Sequence, residues 1–222
     1  TDPLCKAVRS ATAAGITVVV AAGNFGRTLT GSEVYGAISA PGNDPSVITV
    51  GAANFKDTVA RSDDVVTTFS SRGPTRSSLV DANGVRRYDH LLKPDLVAPG
   101  NRVVGAAATK GSSGTTWSTL PLLGYSTLVA PLGITQYWGE TQMMLSGTSI
   151  ASPVVAGAAA LLLQANPGLT PPLVKAILQY TAQPLPGYNL LQQGTGMLNI
   201  EGAVRLATAL RTDIAAKIDA NA

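Results

Sequence analysis

"LSGTSIASPVVAGAAALLLQANP", residues 145–167, is the stretch whose reading decides the fold. Ser149 opens a run in which Ala151, Ala156, Gly157, Ala158, Ala159 and Ala160 keep the helix small and apolar on nearly every side. A helix of that kind belongs inside a core. Its predicted span is 149–165, closed by Asn166-Pro167. Pro153 falls in the first turn, where its missing N–H has no partner to lose. The predicted N-terminus brings unpaired N–H groups and the positive end of the helix dipole, and both favour an anion beside Ser149. Gly147 lets another backbone come close. An acyl-transfer nucleophile suits such a place, because its tetrahedral intermediate carries an oxyanion. A serine that merely caps a buried helix explains the same letters, and this stretch alone leaves both readings open.

Upstream, Asp2 caps a predicted helix with Pro3 at its first position and Gly15 at its end. "ITVVVAAG" (16–23) follows at once and reads as a strand buried on both faces. Helix followed by buried strand predicts βαβ units and a parallel sheet, flanked by helices on both faces. The strand that should precede the first helix is not in the sequence. Asn24, between Gly23 and Gly26, then lies at the carboxyl end of a parallel strand, where open α/β sheets hold their ligands. A turn asparagine fits there too, but its side-chain amide is also placed to donate to an oxyanion. Further strands are predicted at 46–53, 65–70, 95–99 and 102–108, and helices at 171–182, behind Thr170, and at 201–211. Residues 109–140, polar and glycine-rich with scattered aromatics, read as a surface insertion.

Composition sets the outer limits. The chain has 222 residues, 45% hydrophobic and 13% charged, which supports a sizeable core and argues against disorder. A net charge of +3, with no basic block beyond Arg86-Arg87, gives nucleic acid no footprint. The longest apolar run, 154–163, contains Gly157 and falls short of a membrane span. A lone Cys5 excludes an internal disulfide framework.

"AAGNFG" (21–26) together with "GTSIASPVVAG" (147–157) resembles the subtilisin-like serine protease family, the subtilases or peptidase S8. "FSSRGP" (69–74), "KPDLVAPG" (93–100) and "GTGMLN" (194–199) resemble further segments in the family's order. The resemblance implies a subtilisin-like α/β fold over residues 1–211, with 212–222 as a tail, completed by an N-terminal segment missing from this sequence. It implies that Ser149 is the nucleophile, that its N–H and the Asn24 amide form an oxyanion hole, and that Ala21, Ala22 and Gly23 line a wall of the substrate pocket. The substrate is then a peptide or protein. The family is mostly secreted and is commonly made as a zymogen with an inhibitory propeptide.

The sequence also departs from the family. A serine needs a base and the base an orienting carboxylate, yet no aspartate block and no His-Gly-Thr-His block precede Asn24. The expectation is a two-chain enzyme, in which a separate N-terminal fragment of the same catalytic domain supplies Asp and His. The alternative is an inactive subtilisin-like scaffold or binding module. An α/β-hydrolase esterase needs a histidine after its serine, and none follows Ser149. His90, the only histidine, lies in an apparent loop insertion between Asn24 and Ser149 and is read as structural. No cofactor is needed for the chemistry. "SAPGNDPSV" (39–47) matches a loop that binds a cation in some family members, so a structural calcium on the carbonyls of Gly42, Asp44 and Val47 is one expectation and an ordinary turn is the other.

Overall fold

The computed structural model describes residues 2–107, 124–135 and 141–213. In chain order, α1 is Pro3–Ala13, β1 Val19–Ala21, β2 Ile48–Asn54, β3 Val65–Val66, β4 Ser78–Val80, β5 Arg86–Tyr88, β6 Leu96–Pro99, β7 Val103–Ala106, β8 Gln142–Leu145, α2 Thr148–Ala165, α3 Pro171–Thr181, α4 Leu190–Gln193 and α5 Ile200–Ala209. A single π-helical turn, Tyr125–Val129, stands between β7 and β8.

β2 is the centre of the sheet. β1 and β6 pair with it in parallel, in the registers Val19↔Ile48 and Val50↔Leu96. β3 pairs antiparallel with its last residues, Ala53↔Val66. Alternation along β2 then sorts its side chains between two faces. Ile48, Val50 and Ala52 pack with Leu96 and Ala98 against Ala151, Val155, Ala158 and Leu162 of α2, with α3 and α5 behind. Ala53 joins Val97 and Val66 on the other face, beneath Leu185 and Met197 of the segment that carries α4. The small residues Ala151, Ala158 and Ala159 of α2 belong to this packed layer.

The helix starts follow local chemistry. Asp2 Oδ1 accepts from Leu4 N at 2.7 Å ahead of Pro3, and Pro171 and Pro172 open α3 behind Thr170. Three expectations change. β1 is only half-buried, so it is not yet covered on both faces. The strand read at 65–70 stops at Val66, because the chain turns and Ser70 N bonds back to Thr67 O. And α2 is not a wholly interior helix: Ala156, Gly157, Ala160 and Leu161 are exposed, the last at 45%. By length and composition α2 is apolar enough to cross a membrane, yet its other face is the centre of the sheet's core. Among the described residues the outer edge of β1 also has no partner strand. The insertion read at 109–140 lies mainly outside the described residues, as does most of the tail.

Candidate active site

Ser149 is the second residue of α2, and it is exposed. Gly147 precedes the helix with φ 153°, a backbone conformation that side chains disfavour, and this swings residues 148–150 into the helix mouth. The first-turn N–H groups are then shared out. Thr148 N donates to Asn24 Oδ1 at 3.0 Å, and Ile150 N and Ala151 N donate to Gly147 O at 3.0 and 3.2 Å. The Ser149 N–H and hydroxyl have no hydrogen-bond partner among the described residues. An 18-residue helix aims its positive end at the same point.

Asn24 stands three residues beyond β1, across from this helix mouth. Its Oδ1 is held twice by one residue: Thr148 Oγ1 donates to it at 3.1 Å in addition to Thr148 N. The carbonyl end is thereby locked, and the amide NH₂ is turned toward Gly147, where a Cβ on residue 147 would sit 3.4 Å from Nδ2. Thr148 Oγ1 in turn accepts from Gly23 N at 3.1 Å. One fully buried threonine thus joins the two segments that the sequence kept 124 positions apart. The result is two unengaged donors, Ser149 N–H and Asn24 Nδ2, beside an exposed hydroxyl.

Ala21, Ala22 and Gly23 carry the backbone from β1 to Asn24. Ala22 is fully buried, bonding Val50 O through its N–H and Ser39 N through its carbonyl. Gly23 has φ 108°, and a Cβ there would lie 2.6 Å from Ser39 Oγ and 2.8 Å from Ser71 Oγ. Only a glycine fits at that position. The segment 69–74 lies directly beneath: Ser71 N donates to Gly23 O, and Ser71 Oγ accepts from Phe25 N at 3.0 Å. Arg72 is buried, ion-paired with Glu33 at 2.7 Å and set over the Tyr35 ring. Hydrogen bonding to Arg72 holds the Glu33 carboxyl below its ordinary range.

The sequence reading missed Thr148 and Gly100. Gly100 O accepts from Gly147 N at 2.8 Å, and a Cβ on residue 100 would stand 2.8 Å from Gly147 O. The signal was a glycine at one end of two family-like segments, Gly100 closing 93–100 and Gly147 opening 147–157, but only the fold brings these glycines together. His90 follows β5 and stacks on Tyr88 with ring centroids 5.6 Å apart, while Asp89 accepts from Thr75. The cavity lined by Asp64, Val154, Met197 and Ile200, about 380 Å³, contains neither Ser149 nor Asn24.

Two of the three carbonyls expected on a calcium, and the Asp44 side chain, are engaged by the protein's own donors. Gly42 O accepts from Thr49 Oγ1 at 2.6 Å. The Asp44 carboxylate is taken by Arg9 Nε at 2.5 Å and by Ser46 N and Oγ. Burial pushes that carboxyl upward, but these bonds outweigh it and hold it below its usual range. Val47 O accepts from two lysine ammoniums, Lys93 at 3.2 Å and Lys175 at 2.9 Å. Two ammoniums on Val47 O make a poor fit for a cation bound through that carbonyl. Among the described residues no group of three or more acidic, histidine or cysteine side chains is placed to hold a metal.

Residues 1–203 match the peptidase S8, or subtilase, family. The chain is 36% identical to serine protease AprX of Bacillus subtilis over 203 residues, which is 91% of this chain and 38% of that protein. It is 31% identical to the human membrane-bound transcription factor site-1 protease over 212 residues, or 94% of this chain and 16% of the relative. It therefore spans well under half the length of either relative. Among solved structures, fervidolysin from Fervidobacterium pennivorans, a keratinolytic enzyme related to subtilisin, superposes with a TM-score of 0.60 at 25% identity, over 90% of this chain and 24% of that one.

Proposed function

The chain belongs to the subtilase family, and from that premise we propose that it is the nucleophile-bearing part of a serine endopeptidase. The observation that carries this reading is the Thr148 clamp, which fixes the Asn24 carbonyl and leaves its amide free beside the unengaged Ser149 N–H. In this reading Ser149 Oγ attacks the scissile carbonyl while a histidine takes its proton. The oxyanion is received by Ser149 N–H and Asn24 Nδ2. The imidazolium gives its proton to the departing amine, leaving an acyl-enzyme on Ser149, which water then hydrolyses by the reverse exchange. Ala21 and Gly23 offer the substrate backbone one wall of a pocket.

The base and its carboxylate come from a more N-terminal part of the same catalytic domain. The open edge of β1 and the exposed stripe of α2 at Ala156, Gly157, Ala160 and Leu161 support its docking there. A strand on that edge and a cover over that stripe would restore the two-sided burial that the β1 sequence asks for. A secreted or otherwise extracytoplasmic setting, with activation from a zymogen, goes with this reading. The test is a fluorophosphonate probe applied to this region together with the N-terminal part of its catalytic domain. Labelling mapped to Ser149, and lost in Ser149→Ala, is the expected result. No labelling in the assembled pair refutes the enzyme and leaves a scaffold.

A further inference from the structure

Lys175 lies on α3 and Lys93 just before β6, yet both ammonium groups arrive at the same place, the loop ahead of β2. Lys175 Nζ donates to Val47 O at 2.9 Å and to Pro45 O at 3.0 Å, and it pairs with Asp95 Oδ1 at 3.1 Å. Of the three protons of this ammonium, two go to the carbonyls, and the Asp95 carboxylate balances its charge from 3.1 Å. Lys93 Nζ, with its side chain 2% exposed, meets Asp95 Oδ2 at 2.6 Å and Val47 O at 3.2 Å. Asp95 is completed by Thr49 N at 2.7 Å and Gln179 Nε2 at 3.3 Å. Two backbone carbonyls and a carboxylate converging on a point positive charge make the donor set of a hard-cation site. The N···O spacing of about 3 Å is that of hydrogen bonds, longer than the 2.3–2.6 Å typical of calcium to oxygen.

We propose that the Lys175 ammonium takes the place of a structural cation, so that residues 41–47 are held by the protein's own charge and not by a metal. The neighbouring oxygens fit this arrangement. Gly42 O and the Asp44 carboxylate are already committed to Thr49, Arg9 and Ser46, and Lys93 Nζ shares Val47 O and the Asp95 carboxylate with Lys175. The geometry carries a second consequence. Truncating Lys175 leaves Pro45 O, Val47 O and Asp95 Oδ1 around an emptied position, so Lys175→Ala creates the metal requirement that the native chain lacks.

The experiment is amide hydrogen exchange on the full-length protease, read at Asp44, Ser46, Ile48 and Thr49, in EDTA, in millimolar calcium and in potassium. This readout is independent of catalysis, so a failed proposal about Ser149 leaves it intact. The native protein is expected to exchange at these amides at the same rate in all three. Lys175→Ala is expected to exchange there at least about tenfold faster in EDTA, with protection returning in calcium or potassium. Chelation that opens these amides in the native protein overturns the proposal, even if the variant fails to fold. So does a variant that exchanges like the native protein, or one that opens and is restored by neither cation.

Discussion

The two ends of the parallel strands are treated in opposite ways. Ahead of β2 and β6, polar groups are saturated: the Asp95 carboxylate meets Lys93, Lys175, Gln179 and Thr49 N, and Val47 O takes two ammoniums. Beyond β1 and β6, donors are left over: the Ser149 N–H and the Asn24 amide have only one another's neighbourhood. Both ends use buried groups to place polar atoms. One end spends every hydrogen bond internally and gains rigidity. The other holds each group by its back, Asn24 through Oδ1 and Gly147 through Gly100, and leaves its front unengaged.

The largest predicted effect breaks the open end. Ser149→Ala removes the nucleophile, so turnover by the assembled protease is expected to fall on the order of 10⁴-fold or more with folding unchanged, since Ser149 is exposed. Residual activity near the native level in a peptide-cleavage assay would end the proposed chemistry. Asn24→Ala comes next. The expected loss is about 10²- to 10³-fold in kcat with KM little altered, the scale known for subtilisin when its oxyanion asparagine is lost. An equal loss carried by KM would assign Asn24 to ground-state binding instead.

The saturated end is tested by pH. Burial, opposed by Asp95 and reinforced by Lys175, lowers the Lys93 ammonium from 10.5 to about 8. Below pH 8 folded and unfolded chains both carry the proton, and the cost of burying it is present in full. Between pH 8 and 10.5 the folded chain sheds the proton while the unfolded chain keeps it, so stability rises with pH across that window. Lys93→Met lacks this slope. Denaturant titrations of the full-length protein should show the native chain gaining on the variant by up to about 3 kcal/mol between the two limits. Parallel curves would mean that Lys93 titrates normally and that the corner is less closed than its bonds indicate.

Much of this was legible in sequence, and unevenly so. α1, α2 and α3 were read to within a residue or two because Asp2-Pro3, Gly147 and Pro171-Pro172 punctuate the chain locally. The Ser149 and Asn24 segments stood out because glycines flank both. The β4–β5 hairpin went unread although Asn83-Gly84 marks its turn, with Gly84 at φ 77°, because its short strands are exposed and carry no alternating pattern. β8 went unread because its partner β7 lies across a long insertion. "KPD" gave no hint that Lys93 and Asp95 await a lysine eighty positions on. Hydrophobic periodicity reports burial, whereas these polar corners depend on contacts between distant segments.

Thr148 supplies the smallest effect and the sharpest discrimination, because it is fully buried and its side chain yet serves the open end. Its hydroxyl accepts from Gly23 N and donates to Asn24 Oδ1. Thr148→Val keeps the shape and removes both bonds, while Thr148 N still reaches Asn24. Leaving the Gly23 N–H without a partner is expected to cost about 1–3 kcal/mol of stability. A purely structural threonine would stop there, with kcat unchanged at temperatures where the protein stays folded. A positioning threonine also loosens the Asn24 amide, and kcat should fall about tenfold, the equivalent of one weakened hydrogen bond to the oxyanion, with KM steady. Thr148→Ser restores the hydroxyl and should recover most of both losses. If kcat in Thr148→Val matches the native value, the clamp holds the fold and not the oxyanion donor.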